Sequence, residues 1–236
     1  MPGPLSSGRG HTIEGDAANH ITRVLRLQPG DPLIVFDGRG GEYAARIEAI
    51  RKDAVVVAVQ EHSAATRESP LSLTLAQGVS RGERMDWVVQ KATELGVTRI
   101  IPVLTERTVV RLDAKQSERK LLHWQGVAVA ACEQSGRDRI PDIAAPVGLH
   151  DFLGGIDTGA TRLLLSPTGT QRVNELQPPA AGLLVLIGPE GGLAQSEQRA
   201  AIQAGFAAVR MGPRVLRTET AAVAALTLLQ HRFGDL

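Results

Sequence analysis

A chain of 236 residues, 43% of them hydrophobic, has room for one large or two small domains and enough apolar material for a core. No run of about 18 apolar residues occurs, which excludes a helical membrane span, and the single cysteine, Cys132, excludes an internal disulfide. The net charge of +1 does not announce a nucleic-acid partner, but 22 of the 26 basic residues are Arg, whose planar fork binds phosphate bidentately where Lys is a point charge. With 6 scattered His and no paired Cys there is no zinc-ligand spacing, and no metal is expected. Aromatic residues make up 3%, so any nucleic-acid contact should rest on phosphates and shape, not on a stacking platform. The N-terminus has neither a secretory apolar core nor a transit-peptide composition, and the expected compartment is the cytoplasm.

Residues 1–18, rich in Gly, Pro and Ser, read as a loosely held leader. From Asn19 the pattern gives a short amphipathic helix, a turn at Pro29–Asp31, and strand-like runs Leu33–Phe36, Glu42–Ile50 and Ala54–Gln60. Closely spaced strands with tight turns predict a small β-barrel, and residues 19–70 are assigned to it together with a polar linker, Ser63–Pro70. Residues 71–236 alternate strand and helix: Leu71–Gln77, Glu83–Leu95, Arg99–Leu104, a long helix from about Ser117 to Ser135, then Arg162–Leu165, Leu183–Ile187, Ser196–Ala204, Ala208–Met211 and a terminal Ala/Leu-rich helix. That alternation predicts a parallel sheet covered by helices on both faces.

Two glycine-bearing turns end apolar strands in this second part: Gly188–Pro189–Glu190–Gly191–Gly192 after Leu183–Ile187, and Gly212–Pro213 after Met211. Ligands of open α/β sheets bind outside the carboxyl ends of strands, so both turns predict one pocket. At this spacing GPEGG followed by MGPRVLRTETA resembles the knotted RNA methyltransferases of the SPOUT superfamily, specifically the family that methylates N3 of a uridine in small-subunit (16S) ribosomal RNA. The resemblance extends to RGERMDWVVQKATELGVTRIIPVLTERT with its Arg84 and Arg107, to CEQSGR with Gln134 and Arg137, and to the strand Leu163–Leu165 ending at Ser166–Pro167. HITRVLRLQPGD followed by FDGRGGEY resembles the PUA-like N-terminal domain of the same family, although the leader lacks the Arg/aromatic strand with which that family opens. Ala194 stands where the family commonly has Ser or Thr, which removes half of a capping box with Glu197, and Arg81 stands where Lys is common.

The resemblance implies a PUA-like barrel followed by a SPOUT domain with a trefoil-knotted parallel sheet, S-adenosylmethionine as cofactor, and ribosomal RNA as partner. It places the cofactor against Leu165, Ser166, Pro167, Gly188, Pro189, Glu190, Gly191, Gly192, Met211, Gly212, Leu216, Thr218 and Thr220, and it puts Arg137 and Arg217 beside that pocket as stabilisers of the N3 anion. Glu219 reads either as the proton acceptor or cofactor orienter, or as an acidic residue favourably placed at a helix start. Arg23, Arg26, Arg84, Arg107, Gln134 and Arg137 are the expected RNA contacts, while Arg23 and Arg26 also fit a plain solvated helical face. The helix from Glu219 to Arg232 is apolar over a wide arc, which suits either a homodimer interface or complete burial within one domain; SPOUT relatives dimerise through knot helices, which favours the first. Two other functions fit parts of the pattern: a ribose 2'-O methyltransferase of the same fold, and a non-catalytic RNA-binding factor in ribosome assembly.

Overall fold

The computed structural model describes residues 5–64, 66–109, 112–156 and 159–236. The chain divides into two compact units, Met1–Glu68 with Gly136–Arg139, and Ser69–Ser135 with Ile140–Leu236.

In the first unit β1 (Gly10–Glu14), β2 (Pro32–Val35), β3 (Glu42–Ile50) and β4 (Ala54–Ser63) form one antiparallel sheet in the order β1-β4-β3-β2. Its register pairs Ile13 with Val55, Ile47 with Val57 and Ala45 with Val59. Alternation of side chains along each strand puts all six on one face, where they are buried. A short helix, α1 (Gly15–Asn19), and a π turn (His20–Val24) add Ala18 and Ile21 to the same cluster. Two expectations are corrected here. The stretch taken as a leader contains β1 and a buried Leu5, so the sheet begins nine residues before Asn19, at Gly10. The short amphipathic helix expected from Asn19, with Arg23 and Arg26 on it, is also absent: the α-helix ends at Asn19, and Arg26 has φ 55, a left-handed conformation beyond the π turn.

The second unit holds a parallel sheet of β5 (Leu73–Gly78), β6 (Arg99–Leu104), β7 (Asp142–Ile143), β9 (Thr161–Leu165), β10 (Gln171–Arg172), β11 (Leu183–Ile187) and β12 (Ala207–Arg210) in the order β10-β12-β9-β11-β5-β6-β7, with β8 (Val147–Gly148) also pairing β6. All five residues of β11 are buried, as a central parallel strand requires. Leu183, Val185 and Ile187 enter a cluster with α2 (Glu83–Glu94), α3 (Ala114–Ser135) and α6 (Thr218–Phe233), while Leu184 and Leu186 enter the opposite cluster with α4 (Leu149–Gly154) and α5 (Gln195–Gln203). The two-residue period of one strand therefore builds both layers of the domain. Among the described residues no helix is long and apolar enough to cross a membrane.

Most of the apolar arc of α6 is used inside this unit: Ala221, Ala222, Ala225, Leu226 and Leu229 are buried. Leu228 is left 41% exposed. The sheet order places β12 on the far side of β9 from β11, so the carboxyl ends of β9, β11 and β12 lie side by side and the three loops leaving them meet.

Candidate active site

A cavity of about 350 Å³ opens where those loops meet, walled by residues 164–167, 187–193, 211–212, 214–216, 218 and 221, with Arg107 also in its lining. Twelve expected cofactor residues are in its walls: Leu165, Ser166, Pro167, Gly188, Pro189, Glu190, Gly191, Gly192, Met211, Gly212, Leu216 and Thr218. Thr220 is not; it is exposed. On an α-helix a residue two positions after Thr218 lies about 200° round the axis, whereas Ala221, three positions on, returns to the cavity face. Arg214 also lines the cavity, as do Gln198 and Val215, which the sequence did not single out.

The glycines let backbones approach. A Cβ on Gly78, at the end of β5, would sit 2.5 Å from Pro189 Cδ and 2.7 Å from the Gly188 carbonyl carbon, so the start of the GPEGG loop packs against the end of β5 only with glycine there. Gly192 has φ 66, the left-handed conformation that turns the loop back toward α5.

Polar contacts hold the same loop from outside. Glu190 accepts from the Arg81 backbone N–H at 3.0 Å and from Arg84 Nη1 at 2.9 Å, and Arg107 Nη1 donates to Gly191 O at 2.9 Å. Burial pushes the Glu190 carboxyl up, but the backbone donors of Arg81 and Glu190 and the Arg84 guanidinium outweigh it and hold its pKa below the ordinary value. At the start of α5, Ala194 supplies no cap, yet Glu197 keeps its half of the box, accepting Ala194 N–H at 2.8 Å. The other Glu197 oxygen takes the Glu106 N–H at 2.8 Å and ties in the loop after β6. Thr218 Oγ1 donates to Gly188 O at 2.6 Å and accepts from the buried Gln77 Nε2 at 2.9 Å.

The three residues expected to act on the substrate are placed differently. Glu219 lies in the first turn of α6 with its side chain 17% exposed and Arg84 Nε at 3.9 Å, and its Oε2 is buried without a hydrogen-bond partner. Arg217 caps α6 through its carbonyl, which accepts Ala221 N–H at 2.8 Å; its side chain is exposed and outside the cavity lining. Arg137 does not line the cavity either. It belongs to the first unit, where its side chain is 4% exposed and its Nε reaches Glu68 Oε2 at 3.1 Å, with Nη2 also on Glu68. Glu68 in turn accepts the Arg139 N–H at 3.2 Å. The CEQSGR arginine is thus a buried strut: the polar partner that the end of an apolar helix demands is a carboxylate of the same chain. Arg84 and Arg107, expected on RNA, engage the cavity loop, while Arg23, Arg26 and Gln134 are exposed. Gln77 had no motif around it, and only its place next to Gly78 at a strand end could have marked it. Among the described residues no group of three or more His, Cys, Asp or Glu is placed to hold a metal ion.

Comparison with known proteins bears on this geometry. Residues 67–230 match the family described as RNA methyltransferase domain, and residues 13–60 match the RNA methyltransferase PUA domain. The chain is similar to ribosomal RNA small subunit methyltransferase E of Buchnera aphidicola subsp. Schizaphis graminum, 34% identical over 92% of this chain and 89% of that one, and to the Bacillus subtilis protein of the same name, 30% identical over 94% and 90%. Its structure is similar to that of a ribosomal RNA small subunit methyltransferase E from Neisseria gonorrhoeae bound to S-adenosyl methionine, with a TM-score of 0.93 and 36% identity over 100% of this chain and 97% of that one. A Legionella pneumophila protein solved with bound S-adenosylmethionine gives a TM-score of 0.94 and 39% identity over the same shares.

Proposed function

This chain belongs to the RNA methyltransferase family that contains the ribosomal RNA small subunit methyltransferases E, and from that premise we propose that it methylates N3 of a uridine in small-subunit ribosomal RNA, using S-adenosylmethionine held in the cavity of its second unit. The observation that carries this reading is the junction of three strand ends around one glycine-walled cavity. Its volume of about 350 Å³ is in the range of small-molecule sites, and its backbone-rich floor suits a flat base and a bent amino-acid tail. The resemblance to two structures carrying that cofactor supports the assignment.

The cofactor, when bound, supplies an electrophilic methyl carbon on a sulfonium, and the sulfur keeps the bonding pair when the methyl leaves. The residues of this chain have two further tasks. Neutral uridine carries a proton on N3, so that proton must be taken as the N3 lone pair forms its new bond. Glu219 is the group we assign to it: its Oε2 has no hydrogen-bond partner in the chain and keeps its capacity to accept, one residue from the cavity-lining Thr218. Arg217 is assigned to the anion that develops, as a fixed cation that neither gains nor loses a proton. Arg137, already paired with Glu68, is not assigned a part in the chemistry.

RNA engagement is assigned to the exposed Arg23 and Arg26 of the first unit and to Gln134 at the end of α3. A homodimer is assigned through α6: Leu228 remains 41% exposed, and it lines a groove that also takes in Pro213 and His231. Work on ribosomal RNA fits a cytoplasmic protein. Calorimetric titration of S-adenosylmethionine tests the cavity: wild type should bind, and Gly78→Val, whose side chain would collide with the Gly188–Pro189 backbone and displace the cavity loop, should not. Light scattering tests the dimer, and a monomeric mass at micromolar concentration would contradict it.

A further inference from the structure

We infer that Gln77 is a positioning residue for the cavity, acting through Thr218 on the Gly188 carbonyl; the inference rests on the cavity being the S-adenosylmethionine site. Gln77 ends the apolar part of β5 and is completely buried. Its Nε2 faces three oxygens: Thr218 Oγ1 at 2.9 Å, Gly78 O at 3.0 Å and Gly188 O at 3.5 Å. Two of these are backbone carbonyls, which only accept, so the atom facing them must be the amide nitrogen and not the side-chain oxygen. Thr218 Oγ1 lies 2.6 Å from Gly188 O, again an obligate acceptor, so the hydroxyl donates there and receives its own hydrogen bond from Gln77.

The direction of the relay is therefore determined: Gln77 N–H to Thr218 O–H to the Gly188 carbonyl, each bond polarising the next. Gly188 opens the GPEGG loop, and its peptide with Pro189 has no N–H. The carbonyl is that peptide's one polar group, and the relay sets where it points. The arrangement also leaves Gln77 Oε1 buried with no partner. A Met or Leu of similar volume would avoid that penalty. A glutamine whose oxygen has no partner, while its nitrogen joins a strand end, a loop and a helix start, is explained by what the nitrogen holds in place.

The test is a cycle of S-adenosylmethionine titrations on the full chain, with melting temperatures taken alongside. Gln77→Met should weaken binding about fivefold to tenfold, the worth of a neutral hydrogen bond, with a melting temperature close to wild type. Thr218→Val should do the same and Thr218→Ser should bind like wild type. In the double variant Gln77→Met, Thr218→Val the loss should equal that of Thr218→Val alone, because the relay has already been cut. Gln77→Glu adds a signature that packing alone would not produce. Its protonated carboxyl can donate to Thr218 and its ionised form cannot, so affinity relative to wild type should fall as pH rises. Unchanged affinity in Gln77→Met, an equal loss from Gln77→Met on both Thr218 backgrounds, or a pH-independent ratio for Gln77→Glu would each overturn the inference. Failure of the wild type to bind would instead overturn the cofactor reading and this inference with it.

Discussion

The two polar clusters at the ends of the chain's most specific motifs are built to opposite rules. Around Glu68 in the first unit, Arg137 and the Arg139 amide converge on one carboxylate, and Thr66 Oγ1 reaches Asp138 at 3.4 Å, so charges and donors are matched within the cluster. Around Thr218 in the second unit the pairing is incomplete. Among the described residues, the two buried side-chain atoms without a partner, Gln77 Oε1 and Glu219 Oε2, are both on residues adjoining the cavity loops. A matched cluster holds a fold together, whereas unmet acceptors beside a cavity are retained where the same side chain has another task.

Separating Glu68 from Arg137 should have the largest effect. Removing one partner of a buried pair leaves an uncompensated charge, so Arg137→Met should destabilise the chain by about 3–5 kcal/mol, seen as a lower melting temperature. S-adenosylmethionine affinity of the folded protein should stay near wild type, and adding Glu68→Leu should recover part of the stability. A strongly weakened cofactor affinity would return Arg137 to the site. In the second unit, Glu219→Gln should depress single-turnover methylation by about a hundredfold with cofactor binding retained. If Glu219 takes the N3 proton, the variant's rate should recover as pH rises toward the intrinsic ionisation of N3. A wild-type pH profile would leave Glu219 as a helix-start carboxylate.

Smaller effects sharpen the contrast. Arg23→Ala with Arg26→Ala should lower the salt dependence of RNA binding by about two units of slope while leaving cofactor affinity unchanged. An unchanged slope would remove these residues from the RNA footprint. The smallest effect concerns Glu190, whose pKa is depressed below its ordinary 4.5. A carboxylate with a lowered folded value stabilises above the ordinary value and loses that contribution as pH falls through the depressed one. The loop's attachment to Arg81 and Arg84 should therefore be intact at neutral pH and weaken only on strong acidification. Melting curves of wild type and Glu190→Gln should differ at pH 7 and converge in acid.

Elements with strong local patterns were legible in the sequence. Arg99–Leu104 and Leu183–Ile187 are the observed β6 and β11 residue for residue, because each is an apolar run bounded by turn chemistry. β1 was not legible: GHTIE is short, lies among Gly and Ser, and becomes a strand only by pairing β4, forty or more residues away. The cavity loops were legible because Gly and Pro record close backbone approach, and all but Thr220 of the residues expected at the cofactor line the cavity. Arg137 was not, since an arginine closing a specific motif looks the same whether its partner is RNA or Glu68. Gln77 was missed for the converse reason: its part is set by residues 111 and 141 positions along the chain.

Methyl transfer to N3 of a uridine in ribosomal RNA at the glycine-walled cavity is read out by nucleoside mass spectrometry of small-subunit ribosomal RNA incubated with methyl-labelled S-adenosylmethionine and the full chain. Label should enter N3-methyluridine at one position with the wild type and be lost with Gly78→Val. Label on a ribose hydroxyl, or no transfer by a wild type that binds both RNA and cofactor, would contradict it.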